Sequence, residues 1–153
     1  MRKAMMAAVV LACALIGEAR AQEHYTEGPV WEVNTYRFKE DKADAYLKWL
    51  RQSYLPRMTE YKKAGLILDY KVFFNTARRD PQDWDIAFAT LHSNYAKALD
   101  YSAADEEKSK AIMAKQMKTA DEAKQREAMA PRLDWREFVG TNYVREVTLK
   151  PLP

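Results

Sequence analysis

One stretch of the chain, WEVNTYRF at residues 31–38, constrains the fold most strongly. It is rich in aromatic and β-branched residues and therefore predicts a β-strand, in which side chains alternate between two faces. One face would carry Glu32, Asn34, Tyr36 and Phe38, and the other Trp31, Val33, Thr35 and Arg37. Both faces mix apolar with polar groups. The fold must therefore cover each face of this strand at least in part.

The first 21 residues predict a secretory signal peptide. Arg2 and Lys3 give a positive start, small and apolar residues fill positions 4–17, and Ala-Arg-Ala at 19–21 matches an A-x-A cleavage site. The apolar run is shorter than the ~20 residues of a membrane span. We expect export, to the periplasm or as a secreted protein, with no transmembrane segment in the mature chain. A buried N-terminal helix is the alternative structural interpretation.

Loss of the signal peptide changes what the composition implies. Cleavage near Ala21 removes three basic and one acidic side chain, so the formal net charge falls from +3 to +1. A nearly neutral chain lacks the excess positive charge that attracts a protein to nucleic acid. The only cysteine, Cys13, is removed as well, which excludes a disulfide or a thiolate site. A lipoprotein anchored through Cys13 is the alternative to cleavage.

The mature chain predicts an exposed lead-in at residues 22–29 and a single domain at 30–150. Alternating apolar residues indicate strands at 30–38, 66–74, 84–92 and 142–149, with another extended piece at 136–139. The third strand is apolar on both faces and should be central. The second and third strands, joined by the polar turn at 75–83, predict an antiparallel hairpin.

Two helical regions separate these strands. The first should begin with Asp41 as its cap, bend at residues 53–55 because Pro56 removes a hydrogen bond, and end at Gly65 in a left-handed conformation. After a short helix capped by Ser93 or Asn94, residues 103–130 lack Gly and Pro and predict one long helix with a thin apolar stripe.

The order strand, helix, strand, strand, helix, strand predicts an α+β fold of the ferredoxin-like βαββαβ type. Such a fold has a four-stranded antiparallel sheet with helices on one face, here with an enlarged second helical region. The other face would be apolar and uncovered, which is unfavourable in water. A second copy packed sheet to sheet would cover it, so the sequence predicts a homodimer.

The segments VWEVNTYRFKEDKADAYLKWL and WDIAFATLHSNYAKAL resemble the dimeric α+β barrel superfamily, nearest to NIPSNAP-type domains. The resemblance covers residues 30–101 and, loosely, 136–149. The chain departs from it at 39–42, where the Pro-Gly-Lys turn of the family is Lys-Glu-Asp-Lys, and in the length of the block 103–130. The superfamily includes cofactor-free oxygenases, haem enzymes, isomerases and proteins without known activity, so the resemblance implies a fold and not a reaction.

His92 is the one catalytic candidate, a general base at a strand end beside a helix cap. Alternatively, His92 forms a hydrogen bond to that helix cap. Ligation of a haem iron is a further alternative. The candidate ligand-binding residues are Asn34, Tyr36, Tyr70, Trp84 and Arg145. Asp69 and Asp85 pair across the hairpin, pair with Lys71 or arginine residues, or face solvent. A single histidine in the domain and no cysteine predict no metal site, and no cofactor is predicted.

Three functional hypotheses remain open. The first is an exported small-molecule-binding or structural protein that holds an apolar or aromatic molecule. The second is a cofactor-independent oxygenase or isomerase that acts on a phenolic compound. The third is an interaction module that binds a partner protein through the helix at 103–130. Four glycines leave no room for a phosphate-binding loop or a dinucleotide fingerprint.

Overall fold

A computed structural model describes residues 24–152, so the predicted signal peptide and Cys13 lie outside the described residues. The elements, in chain order, are β1 (Tyr25–Phe38), α1 (Ala43–Trp49), a π-helical turn (Leu50–Tyr54), α2 (Leu55–Lys63), β2 (Asp69–Phe74), β3 (Ile86–His92), α3 (Tyr95–Leu99), α4 (Ala103–Met117), α5 (Glu122–Met129), a 3₁₀ turn (Ala130–Asp134) and β4 (Arg136–Leu149).

The four strands form one sheet in the order β2-β3-β1-β4. β3 pairs antiparallel with both β1 and β2, which confirms the predicted hairpin and the predicted central strand. β4 is also antiparallel to β1, because Arg37 lies beside Glu137 while Asn34 lies beside Thr141. This order, with helices after β1 and β3, confirms the predicted ferredoxin-like fold and its enlarged second helical region.

The chain divides into two compact units. The larger one spans Pro29–Val144, and the smaller one joins residues 24–28 with residues 145–152. In the smaller unit the Lys150 N–H donates to the His24 carbonyl at 2.8 Å. β1 begins at Tyr25, so residues 25–29 of the expected lead-in are strand residues. Residues 30–150, predicted as one domain, fall into both units.

Alternation along β1 separates two different surfaces of the larger unit. The Tyr36 ring meets the ring of Phe88 edge-on at 5.7 Å, on the face that the helices cover. On the opposite face the Lys71 ammonium lies 5.0 Å from the centre of the Trp31 ring. The division of residues 31–38 into two faces is thereby confirmed.

The core of the larger unit lies between the helix-facing side of the sheet and the first helical region. Its buried members are Tyr46, Leu50, Ile86 and Phe88. Tyr46, Leu50, Tyr54 and Met58 follow one another every four residues, whereas an α-helix turns once in 3.6. Each step would rotate by about 40° away from the sheet in a regular helix. The wider π-helical turn at Leu50–Tyr54 absorbs this drift and keeps the stripe on the sheet.

The ends of this helical region differ in part from the prediction. Asp41 is not the cap: its φ of 56° places it in the left-handed region, and Lys42 occupies the cap position without a side-chain bond. A tight turn, closed by the Lys42 N–H on the Lys39 carbonyl at 3.0 Å, forces this geometry. Gly65 has the predicted left-handed conformation, with φ of 71°. The predicted distortion before Pro56 is the π-helical turn.

The long helix predicted over 103–130 is two helices. Lys118 adopts a left-handed conformation, φ 55°, at the end of α4. The Asp121 carboxylate then accepts from the N–H groups of Ala123 and Lys124 and caps α5. Propensity alone missed this break because a local cap outweighs a small propensity difference. Similarly, β2 and β3 are shorter than predicted, and β4 is one strand from Arg136 where two pieces were expected.

The face opposite the helices presents several exposed apolar side chains within the larger unit. Trp31 and Val33 on β1 lie on this face with Phe73 on β2, and 47% of Phe73 is exposed. Val139 on β4, one residue after the helix-facing Phe138, is 41% exposed. None of the helices within residues 24–152 is long and apolar enough to cross a membrane.

Candidate functional site

A cavity of about 480 Å³ lies between the sheet and the helices of the larger unit. Its floor consists of residues from the two central strands: Glu32, Asn34 and Tyr36 on β1, and Phe88, Thr90 and His92 on β3. Its walls come from the helices, the loop before β2, the 3₁₀ turn and the start of β4. The wall residues are Trp49, Tyr54, Arg57, Met58, Tyr61, Ile67, Met113, Met129, Arg132 and Arg136. Both layers of the fold, the sheet and the helices, therefore contribute residues to the lining of the cavity.

One end of the floor holds a histidine and a carboxylate. His92 pairs with Val30 in the sheet, which places its ring beside Glu32, and Nε2 lies 3.4 Å from Oε2 of Glu32. Interaction with His92 lowers the pKa of Glu32 against the opposing effect of burial, and the Asn34 side-chain amide, which donates to Glu32 at 2.7 Å, lowers it further. The His92 side chain is 11% exposed, and neither ring nitrogen has a hydrogen bond of good geometry in the described chain.

The middle of the cavity is aromatic. The rings of Tyr54 and Phe88 lie 4.8 Å apart, and Tyr36 meets Phe138 edge-on at 5.5 Å. The Tyr54 hydroxyl is buried without a hydrogen-bond partner in the described residues, and burial raises its pKa. Burial also raises the pKa of Tyr46, below the cavity, to about 12. Both phenols are therefore neutral at physiological pH.

Three arginines converge on the other end of the cavity. The Arg136 guanidinium carbon lies 3.7 Å from the centre of the Tyr36 ring, and its Nη1 donates to the Tyr46 hydroxyl. Arg132 lies 5.7 Å from the Trp49 ring centre. The Nη1 of Arg57 contacts the sulfur atoms of Met113 at 3.7 Å and Met129 at 3.9 Å.

No carboxylate of the described residues neutralises these arginines. Within residues 24–152, none of Arg57, Arg132 and Arg136 forms an ion pair. Burial lowers the pKa of Arg57 and of Arg132, and the neighbouring guanidinium groups lower both further. The Nε of Arg132 is buried without a hydrogen-bond partner. The cavity thus carries concentrated positive charge at this end.

The structure brings together three of the six residues singled out from the sequence. Asn34, Tyr36 and His92 line the cavity. Tyr70 lies beside it, with its ring against Tyr54 and its hydroxyl 3.0 Å from the Thr59 hydroxyl. These placements leave the functional roles of the residues as predictions.

The other two candidates lie elsewhere. Trp84 precedes β3, where its backbone N–H donates to the Asp83 carboxylate at 2.9 Å. Arg145 belongs to the smaller unit and forms an ion pair with Glu27.

Asp69 and Asp85 form separate ion pairs with Lys62 and Arg78, each at 2.7 Å. Basic side chains, and not each other, are therefore their partners.

The sequence did not indicate Arg57, Arg132 and Arg136 as site residues, because most of the side chains they contact are distant in sequence. Tyr54 and Arg57, three positions apart on the helix, gave a weak local signal. Arg132 and Arg136 lie four positions apart, on either side of Trp135. Outside a helix, this spacing does not indicate that two side chains share a face. Only the meeting of α2, the 3₁₀ turn and β4 brings these residues to one place.

A larger groove of about 880 Å³ lies along the edge strand β2. Leu47, Leu50 and Leu55 form one side of it, and Val72 and Phe74 form the other. Its charged residues are exposed side chains on the helical rim. The smaller cavity is the better candidate because its polar groups are buried and converge. Residues 24–152 contain no group of three His, Cys, Asp or Glu side chains placed to hold a metal ion.

Comparison with known proteins finds similarity at the level of structure only. No protein-family model matches the chain, and no curated protein matches it. A NIPSNAP family protein of unknown function from Agrobacterium tumefaciens is 19% identical and has a TM-score of 0.45, covering 85% of this chain and 96% of that one.

Two other solved structures are described as dimeric, ferredoxin-like and of unknown function. The protein from Bacteroides fragilis is 12% identical, with a TM-score of 0.40, over 83% of this chain and all of that one. The protein from Thermobifida fusca is 9% identical, with a TM-score of 0.34, over 82% of this chain and 95% of that one.

The contact between Glu32 and His92 predicts a pH-dependent stability. The folded-state pKa of Glu32 lies below its ordinary value of 4.5, so ionised Glu32 stabilises the fold above pH 4.5. This contribution is lost as the pH falls through the lower folded-state value. We expect Glu32→Gln to reduce the free energy of unfolding near neutrality, and the difference from wild type to shrink in acid.

Urea unfolding over a pH series measures this difference. Glu40→Gln, in the exposed turn after β1, is the control for loss of one carboxylate. A difference between wild type and Glu32→Gln that stays constant from neutral to acid pH would contradict the assignment.

Proposed function

We propose that this protein binds a small molecule in the cavity between its sheet and its helices. The observation that carries the proposal is a group of buried polar atoms without a hydrogen-bond partner among the described residues: the Tyr54 hydroxyl, the His92 Nδ1 and the Arg132 Nε. Each such group costs about 1–3 kcal/mol when it lacks a hydrogen bond. A bound molecule that supplies these bonds would recover that cost.

The walls indicate an apolar, flat body for this molecule. Tyr36, Tyr54 and Phe88 supply aromatic rings, and Met113 and Met129 supply adaptable thioethers. A volume of about 480 Å³ is within the usual range for small-molecule sites. Aromatic compounds therefore fit the cavity better than sugars or other strongly hydrated molecules do.

Filling the cavity should abolish binding. Met113→Trp adds a large ring at the cavity wall, and we expect it to remove the rise in melting temperature that aromatic compounds give to the wild type. Leu99→Trp is the matched control, because Leu99 is 57% exposed on α3 and lines no part of this cavity. Equal thermal shifts in wild type and Met113→Trp would place the ligand elsewhere.

An enzyme is the second candidate, and the contact between His92 and Glu32 favours it. A buried imidazole beside a carboxylate, at the edge of an aromatic cavity, is a suitable general base for a phenolic substrate. We expect His92→Gln to abolish oxygen uptake or isomerisation of phenols and to retain their binding. His24→Gln, at the other histidine, is the control. A wild-type protein that binds phenols without turning any over would exclude this function.

We also propose that two copies of the chain pack through their open sheet faces. Trp31 and Val33 are half-buried on this face and Phe73 and Val139 are exposed, and a second copy is a partner that would cover the face symmetrically. Partner capture by residues 103–130 stays a prediction; in this structure Ile112 of α4 packs against a second buried cluster, formed by Met58, Leu66 and Ile67.

Native mass spectrometry of the exported protein tests the dimer. Wild type should be dimeric, whereas Trp31→Asp should be monomeric or aggregated because it removes a large apolar side chain from the interface and puts a charged one there. Leu133→Asp, at an exposed leucine between α5 and β4, should remain dimeric. A dimer of Trp31→Asp would place the interface elsewhere. The denatured mass of the same sample tests the proposed export by cleavage near Ala21 against lipidation at Cys13.

A further inference from the structure

The three arginines of the cavity have more binding capacity than the protein itself uses. Arg57 contacts methionine sulfurs, Arg132 an indole ring, and Arg136 a phenol ring and a hydroxyl. A guanidinium group has five N–H donors in a planar fork that matches a carboxylate. Among the described residues these guanidinium groups have one oxygen acceptor, the Tyr46 hydroxyl, so most of their donors are open to a ligand or to water.

The convergence of these arginines is not the consequence of one charged helix face. Arg57 comes from α2, Arg132 from the 3₁₀ turn and Arg136 from β4. Arginine side chains at a surface normally extend their charged end into water. Three that instead turn towards one cavity bring like charges together, which is unfavourable unless an anion offsets it.

The opposite end of the cavity has the opposite charge. Glu32 is four residues from Tyr36 on β1, which corresponds to about 13 Å along a strand. Its carboxylate is already engaged by His92 and Asn34, so it does not compensate the arginines. The cavity is therefore positive at the Tyr36 end and negative at the Glu32 end, and this polarity would orient an asymmetric ligand.

We propose that the ligand is an aromatic carboxylic acid whose carboxylate binds Arg57, Arg132 and Arg136 and whose ring packs against the aromatic lining formed by Tyr36, Tyr54 and Phe88. This proposal rests on the proposed function, since it names the ligand class of the same cavity. A carboxylate suits the site because it needs few donors and leaves the apolar walls to the ring. Arginine binds phosphate as well as carboxylate, so an aryl phosphate is the alternative that the experiment must separate.

Pairs of compounds that differ only in charge test this assignment. Isothermal titration would compare aryl carboxylates with their neutral amides, beginning with naphthoate and naphthamide, and with naphthyl phosphate as a third probe. For the wild type we expect the carboxylate to bind at least tenfold more tightly than the amide. Binding of the carboxylate should weaken as salt is added, because the attraction is between charges.

Arginine variants then locate the anion. Arg132→Gln should weaken naphthoate binding about tenfold, which corresponds to about 1.4 kcal/mol, because it removes a charged hydrogen-bond donor. It should leave naphthamide binding unchanged, and Arg132→Lys should restore part of the loss. Arg126→Gln on α5 removes an arginine whose side chain is 74% exposed and should change neither. The same pattern is expected for Arg57→Gln.

The outcomes separate this proposal from the proposed function. Equal binding of carboxylates and amides, both abolished by Met113→Trp, would overturn the carboxylate assignment and keep the cavity as a binding site. Tighter arginine-dependent binding of naphthyl phosphate would overturn it in favour of a phosphate ester. If no aryl carboxylate of the panel binds the wild type, the carboxylate assignment is wrong. If the neutral aromatic compounds also fail to bind, the proposed function falls too.

Discussion

Arg136 is the residue on which the architecture of the cavity depends. It stands at the first position of β4, its guanidinium packs on the Tyr36 ring of β1, and it donates a hydrogen bond to the Tyr46 hydroxyl of α1. One side chain thus connects two strands and a helix. Tyr46 is fully buried, so its hydroxyl needs this donor. The hydrogen bond from Arg136 to Tyr46 therefore links the core to the wall of the cavity.

The π-helical turn has a comparable role for the opposite wall. It realigns the stripe of Tyr46, Leu50, Tyr54 and Met58 so that both ends of the helical region stay on the sheet. Tyr54 consequently reaches Phe88, and Arg57 reaches the methionines of α4 and α5. A regular helix with the same residues would direct one end of this stripe into solvent. Such local irregularities are frequent at functional sites.

Much of the secondary structure was predictable because strand alternation and turn chemistry are local. The pattern of residues 31–38 correctly assigned Asn34 and Tyr36 to one face and Trp31 and Thr35 to the other. It did not indicate which face the helices cover, so the same residues were compatible with a site between two sheets. The break at Lys118 was missed because it depends on one cap at Asp121, within a segment of uniformly high helix propensity.

The sequence by itself determined the order of strands and helices, the two-faced character of β1 and the hairpin of β2 and β3, since each follows from spacing within a few residues. Only the tertiary structure decided the site. Arg57 and Arg136 are far apart along the chain, and no local pattern relates them to Tyr36 or to His92. Their meeting requires the helices to fold back on the sheet, because long-range packing, unlike alternation, leaves no periodic trace in the sequence.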